Sequence, residues 1–474
     1  MRKDVGSIGT QYPFYINNKE YYTFDNEEIL SLQNDKILNM NSIVSILSNG
    51  YIFGNETLVN GINRAPWEAP SKNQNIYVQK NNWNTEEIAK KIEELLLEEI
   101  ETYIKGESKI GILLSGGLDS RILAGLLRKI ELDLDKDFNT EITVYNWGIS
   151  NSRDVIYAKE IADRFSWKYK HFDIDSEKLK KNFYENVNLG CEVSPLHLHA
   201  MTDVANDRDA DVIIAGTYGD SLGRGLFSGT HTTKLNNKTH DLNNKTGIIK
   251  SRYFNDYKES ITNKRYEFII DNNISSNVHE VDQYANYLRR MLTAPMNVIQ
   301  NRKNIYQIFT TPEIYNFVLS LPKNMRNDEI YKVILKKLPS GIGQIPYAKN
   351  GKDFTQKESL VYDDYLKSSH NYGSWLRNNL LGFIKENYDI DLLYSTGIFN
   401  EGSLEKLYEL WLKGKTQTSN NIDEKISYLT NLCMYIKKNK IIVPQVDYDN
   451  DFMSKNLKYF SNYFYLIIRN RLRF

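Results

Sequence analysis

The sequence predicts an α/β protein in which a parallel sheet is flanked by helices, with a helical C-terminal part and a small, irregular N-terminal lead-in. Three observations carry this. Strand-like and helix-like patterns alternate from residue 84 to residue 216, which is the signature of parallel strands joined by crossover helices. One of the strand-to-helix junctions is built on paired glycines, Ser115-Gly116-Gly117. Most of the chain beyond residue 275 follows a helical period.

The elements follow in chain order. The first 80 residues are short apolar pieces broken by Asn, Gly and Pro, as in LSNGYIFGNETLVNGINRAPWEAP, and read as irregular or β-containing. Asn84 and Glu87 have the spacing of a capping box, and Ile88, Ile92, Leu95, Leu96, Ile100 and Ile104 recur at helical intervals until Gly106. This predicts an amphipathic helix. There follow a strand KIGILLS, a helix over 120–130, a strand EITVYNWG, a helix over 153–165 and a strand KYKHFDI. Two helical patches between 176 and 207 and a strand DVIIAG complete the alternating region. The expected organisation is a lead-in over 1–83, a nucleotide-binding unit over 84–365 and a helical extension over 366–474.

Composition bounds the function. A chain of 474 residues can bury a core without disulfide or metal staples. Cys191 and Cys433 lack the spacing of a metal site, which suits a reducing, cytoplasmic setting. The 60 basic and 60 acidic residues cancel, so no global field recruits nucleic acid. No apolar run is long enough to span a membrane. The Asn-rich NNKTHDLNNKTG at 236–247 reads as a surface insertion, and the tail KNLKYFSNYFYLIIRNRLRF as a terminal helix that packs on the core.

The junction KIGILLSGGLDSRILA carries the chemistry. A strand that ends on Ser115-Gly116-Gly117 and enters a helix gathers backbone N–H groups and the positive end of a helix dipole at one point. Glycine permits close approach of a ligand, and the Ser115 and Ser120 hydroxyls add donors. Asp119 would repel a bare phosphate but accommodates one bridged by Mg²⁺. The expected ligand is a magnesium-bound polyphosphate. No G-x-x-x-x-G-K-S/T loop occurs, and the missing lysine suits phosphates that leave together as pyrophosphate.

SGGLDS resembles the pyrophosphate loop of the ATP pyrophosphatase superfamily, and the wider chain resembles the synthetase domain of the asparagine synthetase family. The further stretches are DVIIAGTYGDSLGRG (211–225), FVLSLPKNM with IYKVILKKLP (317–338), IPYAKNGKDF (345–354) and, before the domain, SILSNGYIFGNETLVNGINRAP. The resemblance implies an adenine nucleotide alpha-hydrolase-like fold. It implies an activity in which ATP adenylates a carboxylate, pyrophosphate leaves, and an amine or ammonia attacks to give an amide and AMP. It also implies ATP and Mg²⁺ as cofactors. Carried over by position, Ser115, Gly116, Gly117, Asp119 and Ser120 hold pyrophosphate and magnesium, and Asp220 is a second magnesium ligand. Leu113, Trp147 and Gly216 hold the adenosine, and Lys349 or Lys352 steadies charge on the α-phosphate.

Departures from the family pattern matter as much. Thr217 and Ser221 stand where the family carries glutamates, the first of them a candidate proton acceptor for the amine. Arg224 replaces a small residue and reads either as an anion-binding group or as a solvated surface arginine. Glutamine-dependent members begin on a nucleophilic cysteine, whereas this sequence begins Met1-Arg2-Lys3, so no glutaminase is expected. The expected partners are a small-molecule or peptide carboxylate, an amine, and a separate ammonia-supplying glutaminase as one nitrogen source; neither nucleic acid nor a membrane is expected. His197 and His199 read as structural because an i, i+2 pair points apart, and His171 as a strand-end packing residue. The alternative to a ligase is a nucleotide-binding scaffold that has lost catalysis, motivated by the missing glutamates. RNA thiolation is disfavoured by the lack of nearby cysteines and of a basic face.

Overall fold

The computed structural model describes residues 13–16, 21–65, 83–221, 224, 244, 246–271, 278–354, 364–414 and 420–444. The tail at 455–474 and most of the Asn-rich stretch 236–247 lie outside the described residues.

Two sheets are present among them. A small antiparallel sheet joins β1 (Phe14–Ile16), β2 (Tyr21–Thr23) and β3 (Asn63–Arg64) in the order β2-β1-β3. The main sheet contains β4 (Lys109–Leu113), β5 (Glu141–Gly148), β6 (Lys168–Asp173), β7 (Val212–Ala215) and β8 (Asn304–Gln307). Its order is β6-β5-β4-β7-β8 and every pair is parallel. The chain therefore winds outward from β4 in one direction and resumes on its other side with β7. The carboxyl ends of β4 and β7 flank this topological switch point, where loops diverge and leave a crevice.

The apolar faces explain the layers. Ile110 and Ile112 of β4 point into the largest core, with residues of the helices Thr85–Ile104, Leu118–Leu134 and Arg153–Phe165. Leu113 points to the other face, toward Met201, Val204, Ile213 and Val298. Gly111 lies on that second face because Tyr145 and Ile213 crowd it: a Cβ there would sit 2.4 Å from Ile213 Cδ1. A third core joins N-terminal residues such as Phe14, Ile43 and Leu58 to Phe183 and to C-terminal residues such as Leu376, Trp411 and Leu429.

The alternating region matches the expected pattern closely. The helix Thr85–Ile104 opens on a reciprocal capping box, in which Glu87 N–H donates to Asn84 Oδ1 at 3.0 Å and Asn84 N–H to Glu87 Oε2 at 2.8 Å. Three elements differ from expectation. The lead-in contains two helices, Asn26–Ser31, capped by Asp25, and Met40–Asn49, capped by Asn39 and ended by Gly50 at φ 87°. In the latter, residues Ser42 to Ser48 are all buried, including the polar stripe Ser42, Ser45 and Ser48, which packs inside the protein instead of facing water. The strand β8 interrupts the C-terminal region, which is otherwise mainly helical as expected.

Candidate functional site

The turn after β4 bends back on itself through its own serines. Ser115 N–H donates to Ser120 Oγ at 3.1 Å, and Gly117 N–H donates to Ser115 Oγ at 3.1 Å. The two hydroxyl oxygens are 3.1 Å apart, and Ser120 Oγ donates to the Ser115 carbonyl at 3.2 Å. The helix Leu118–Leu134 starts at Gly117 with no side-chain cap, so its dipole faces the crevice without an internal acceptor at the cap. Replacing Ser115 by Ala removes the acceptor for Gly117 N–H. Ser115→Ala is expected to lower stability by about 1 kcal/mol and nucleotide affinity by a similar amount, as read by calorimetric melting and titration; unchanged nucleotide affinity would show that this turn does not hold the nucleotide.

Not every N–H in the turn is free. Gly116 N–H donates to Asp154 Oδ1 at 3.2 Å. Asp154 lies in the first turn of the helix Arg153–Phe165, after β5. Burial raises its carboxyl above the ordinary range, opposed by the Gly116 hydrogen bond. Sequence reasoning missed Asp154, although an acidic residue in the first turn of the next crossover helix is a readable signal, because adjacent parallel strands bring their following loops together.

The loop after β7 closes over this turn. A Cβ on Gly216 would lie 2.9 Å from the backbone C and O of Asp119 and from Ser120 Cα, and one on Gly219 would lie 2.7 Å from Asp119 Cβ, Cγ and Oδ1. Both glycines are therefore required by close packing of the two loops. Leu113 is buried in the core behind them, and Trp147, half-buried at the end of β5, stacks on His199 at 6.2 Å. Ser221 Oγ donates to Asp220 Oδ1 at 3.1 Å, and Thr217 is half-buried nearby.

Asp119 is the electrostatic centre. Burial pushes its carboxyl up to about 7, with Asp220 adding to the rise and Arg224 opposing it. Its Oδ1 is buried without a hydrogen-bond partner. Tyr331, which donates to the Gly219 carbonyl at 2.8 Å, also lies within reach of Asp119. Arg224 is neither solvated nor free: its Nε stands 3.7 Å from Asp119 Oδ1, its Nη1 donates to Asp328 Oδ1 at 3.0 Å, and its guanidinium lies 5.4 Å from the centre of the Tyr331 ring. Of the two readings of Arg224, the solvated surface arginine is thus corrected: the side chain is a counter-ion of the site. Its position follows from the partly buried negative charge of Asp119, which a neighbouring guanidinium offsets.

The segment after residue 344 docks on the same turn. Ala348 N–H donates to the Gly116 carbonyl at 3.1 Å, and a Cβ on Gly116 would meet Ala348 Cβ at 2.7 Å. Arg121, fully buried, donates to the carbonyls of Ile345, Pro346 and Gly116 and ties the segment down. Lys349 follows Ala348 directly and is exposed. Lys352 is exposed too, but lies across a turn closed by Tyr347 N–H to Lys352 O at 2.7 Å. The histidines lie elsewhere and are engaged: His197 Nε2 with Glu424 Oε1 at 2.9 Å, His199 Nδ1 with the Tyr372 hydroxyl at 3.1 Å, and His171 Nε2 with the Gly148 carbonyl at 2.9 Å.

Residues 91–302 match the family model for asparagine synthase. The match takes in a little under half of the 474 residues and is a similarity to that family. The chain is also similar to a protein of Methanocaldococcus jannaschii named as a candidate asparagine synthetase of the glutamine-hydrolysing kind, being 26% identical over 125 residues. That match takes in 25% of this chain and spans 21% of the relative's length. Among solved structures, the chain is similar to the NMN synthetase of Francisella tularensis, with 18% identity over 31% of this chain and 60% of that one, and a TM-score of 0.21. It is similar also to the U34-tRNA thiolase NcsA of Methanococcus maripaludis, with 14% identity over 48% and 82% of the two chains and a TM-score of 0.24. The matched residues include Leu113, Ser115, Gly116, Gly117, Asp119, Ser120, Trp147, Gly216 and Asp220, whereas Lys349 and Lys352 lie beyond them. Among the described residues no helix is long and apolar enough to cross a membrane.

Proposed function

We propose that the chain is a cytoplasmic, AMP-forming carboxylate–amine ligase that uses ATP. The observation that supports this best is the meeting of the two loops at the switch point of the sheet, with Asp119 Oδ1 between them, buried, faced by Arg224 at 3.7 Å and accepting no hydrogen bond. A buried carboxylate oxygen without a donor suits a cation, and Asp119 with Asp220 would hold Mg²⁺ there. That ion supplies charge neutralisation for the phosphates and the leaving pyrophosphate. In this reading, Ser115, Ser120 and the uncapped helix start bind the phosphates, and Trp147, Leu113 and Gly216 form the adenosine side. Lys349 is the better placed of the two lysines, because the residue before it is pinned to Gly116.

With Thr217 and Ser221 in place of glutamates, neither position offers a carboxylate to take the amine proton. The proposed acceptor is therefore an amine that arrives deprotonated or is itself held by a further group, or ammonia from a separate glutaminase. The experiment is ATP–pyrophosphate exchange screened against carboxylic acids. Exchange stimulated by an acid is the expected result; ATP binding without exchange with any acid would favour the scaffold reading, to which Arg224 at Asp119 lends some support.

Nitrogen supply gives a further expectation. Cys191 and Cys433 are fully buried, and burial raises both thiols, Cys433 to about 12. Neither is an activated nucleophile. The purified chain is expected to release no glutamate from glutamine; release that disappears in Cys191→Ala would make the chain its own ammonia source.

A further inference from the structure

Two buried polar atoms of opposite kind face each other across the site without a hydrogen bond. Asp119 Oδ1 accepts none, Arg224 Nε donates none, and they stand 3.7 Å apart. That separation exceeds the roughly 2.7–3.2 Å of an N–H···O bond. The two charges therefore offset each other, while each atom keeps its bonding capacity for a ligand. A carboxylate oxygen of that kind takes a cation, and a guanidinium N–H takes the oxygen of an anion.

The rest of Arg224 is anchored. Its backbone N–H donates to the Gly219 carbonyl at 3.2 Å, its Nη1 donates to Asp328 Oδ1 at 3.0 Å, and its guanidinium lies 5.4 Å from the centre of the Tyr331 ring. Asp328 and Tyr331 both belong to the helix Asp328–Lys337, so one helix sets the fork beside Asp119. Asp119 in turn feels the carboxylates of Asp220 and Asp328 as well as this guanidinium. A divalent ion at Asp119 would share the carboxylate with the guanidinium, and two cations on one carboxylate repel each other. Phosphate oxygens change that balance, because they give the fork a partner whose geometry it matches.

We propose that Arg224 is a phosphate-binding residue which, before nucleotide arrives, offsets the charge of Asp119 in place of a metal. This rests on the reading of Asp119 as a metal carboxylate and goes beyond it, since it assigns part of the hold on ATP to a side chain outside the turn Ser115-Gly116-Gly117. Arg224 then opposes free Mg²⁺ and favours ATP. A merely structural arginine would do neither, and its loss would weaken both ligands together.

Two calorimetric titrations of the full chain test this, one with Mg²⁺ and no nucleotide, the other with ATP in EDTA. Both are run at pH 8.5, where protons compete little for carboxylates. Arg224→Met should bind Mg²⁺ about tenfold more tightly than wild type and metal-free ATP about tenfold more weakly, through loss of a charged, forked contact. Arg224→Lys keeps the charge without the fork, and should bind Mg²⁺ as wild type does while recovering part of the ATP affinity. Should Arg224→Met fail to fold, Arg224→Gln, which retains a donor for Asp328, is read in the same two titrations. Shifts of opposite sign support the proposal; any other pattern, including an unmoved affinity for either ligand or a weakening of both, would overturn it. Pyrophosphate exchange separates this from the ligase reading. Exchange without the opposite shifts removes the assignment of Arg224 alone, and the shifts without exchange remove the ligase alone.

Discussion

Asp119→Asn is expected to abolish pyrophosphate exchange and, at the same time, to raise the melting temperature of the apo protein at neutral pH. The two effects have one cause. Burial lifts the Asp119 carboxyl to about 7 from its ordinary 3.8, so the folded state binds a proton that the unfolded state releases. Stability then falls as pH rises from about 4 to about 7, because over that window the native protein holds more protons than the unfolded chain. Asparagine mimics the protonated form and is indifferent to pH. A shift of about three units sets an upper bound near 4 kcal/mol above pH 7, and about half of that is a reasonable expectation. The gain should vanish by pH 4. Added Mg²⁺ should stabilise the wild type and leave Asp119→Asn unmoved, which reads the cation role without any turnover. A variant that melts lower than wild type at pH 7.5, or one that still responds to Mg²⁺, would count against Asp119 as the site's buried anion.

How legible this site was depends on whether its determinants are local. Asn84 and Glu87 are three residues apart and fix a helix start through their own side chains, so the start of Thr85–Ile104 could be read directly. EITVYNWG is strongly β-branched and aromatic and became β5 over the expected residues. The turn Ser115-Gly116-Gly117 was likewise readable, because its hydrogen bonds run among residues within five positions of each other. The strand β8 was not: Asn304–Gln307 is short and only partly apolar, and lies at the sheet edge, where β7 is its one partner. The helix Met40–Asn49 carries a readable pattern, Ser42, Ser45 and Ser48 recurring between apolar pairs, but its ten residues stand among Asn and Gly breaks that read as loop, and its polar stripe is buried rather than solvated. Within the site, Arg224 and Asp154 were missed or misread for the same reason. Each is defined by a partner far along the chain, Asp328 for Arg224 and Gly116 for Asp154, and no spacing rule records such a pairing.

Arg121 is the strongest example, and it carries the second large prediction. In sequence it is one more basic residue on a helix, directly after Ser120. In the structure it is fully buried, and its guanidinium joins the carbonyls of Ile345 and Pro346 to that of Gly116. Burial lowers it to about 10, which leaves it charged at neutral pH, with Glu160 and Asp353 as the nearest charges that favour the cation. Arg121→Met keeps the aliphatic volume and removes the fork, so the carbonyls of Ile345 and Pro346 lose a charged donor in a dry setting. The cost should be about 3–5 kcal/mol. Arg121→Lys keeps the charge but offers a compact head in place of a planar fork, and should restore only part of the loss. Because the segment 345–352 bears both candidate lysines, the expected kinetic signature is a fall in kcat larger than the rise in KM for ATP, as the turn Ser115-Gly116-Gly117 keeps its own serine hydrogen bonds. Equal kcat in wild type and Arg121→Lys would mean that the lysine segment holds its place without the clamp, and that neither Lys349 nor Lys352 depends on it for catalysis.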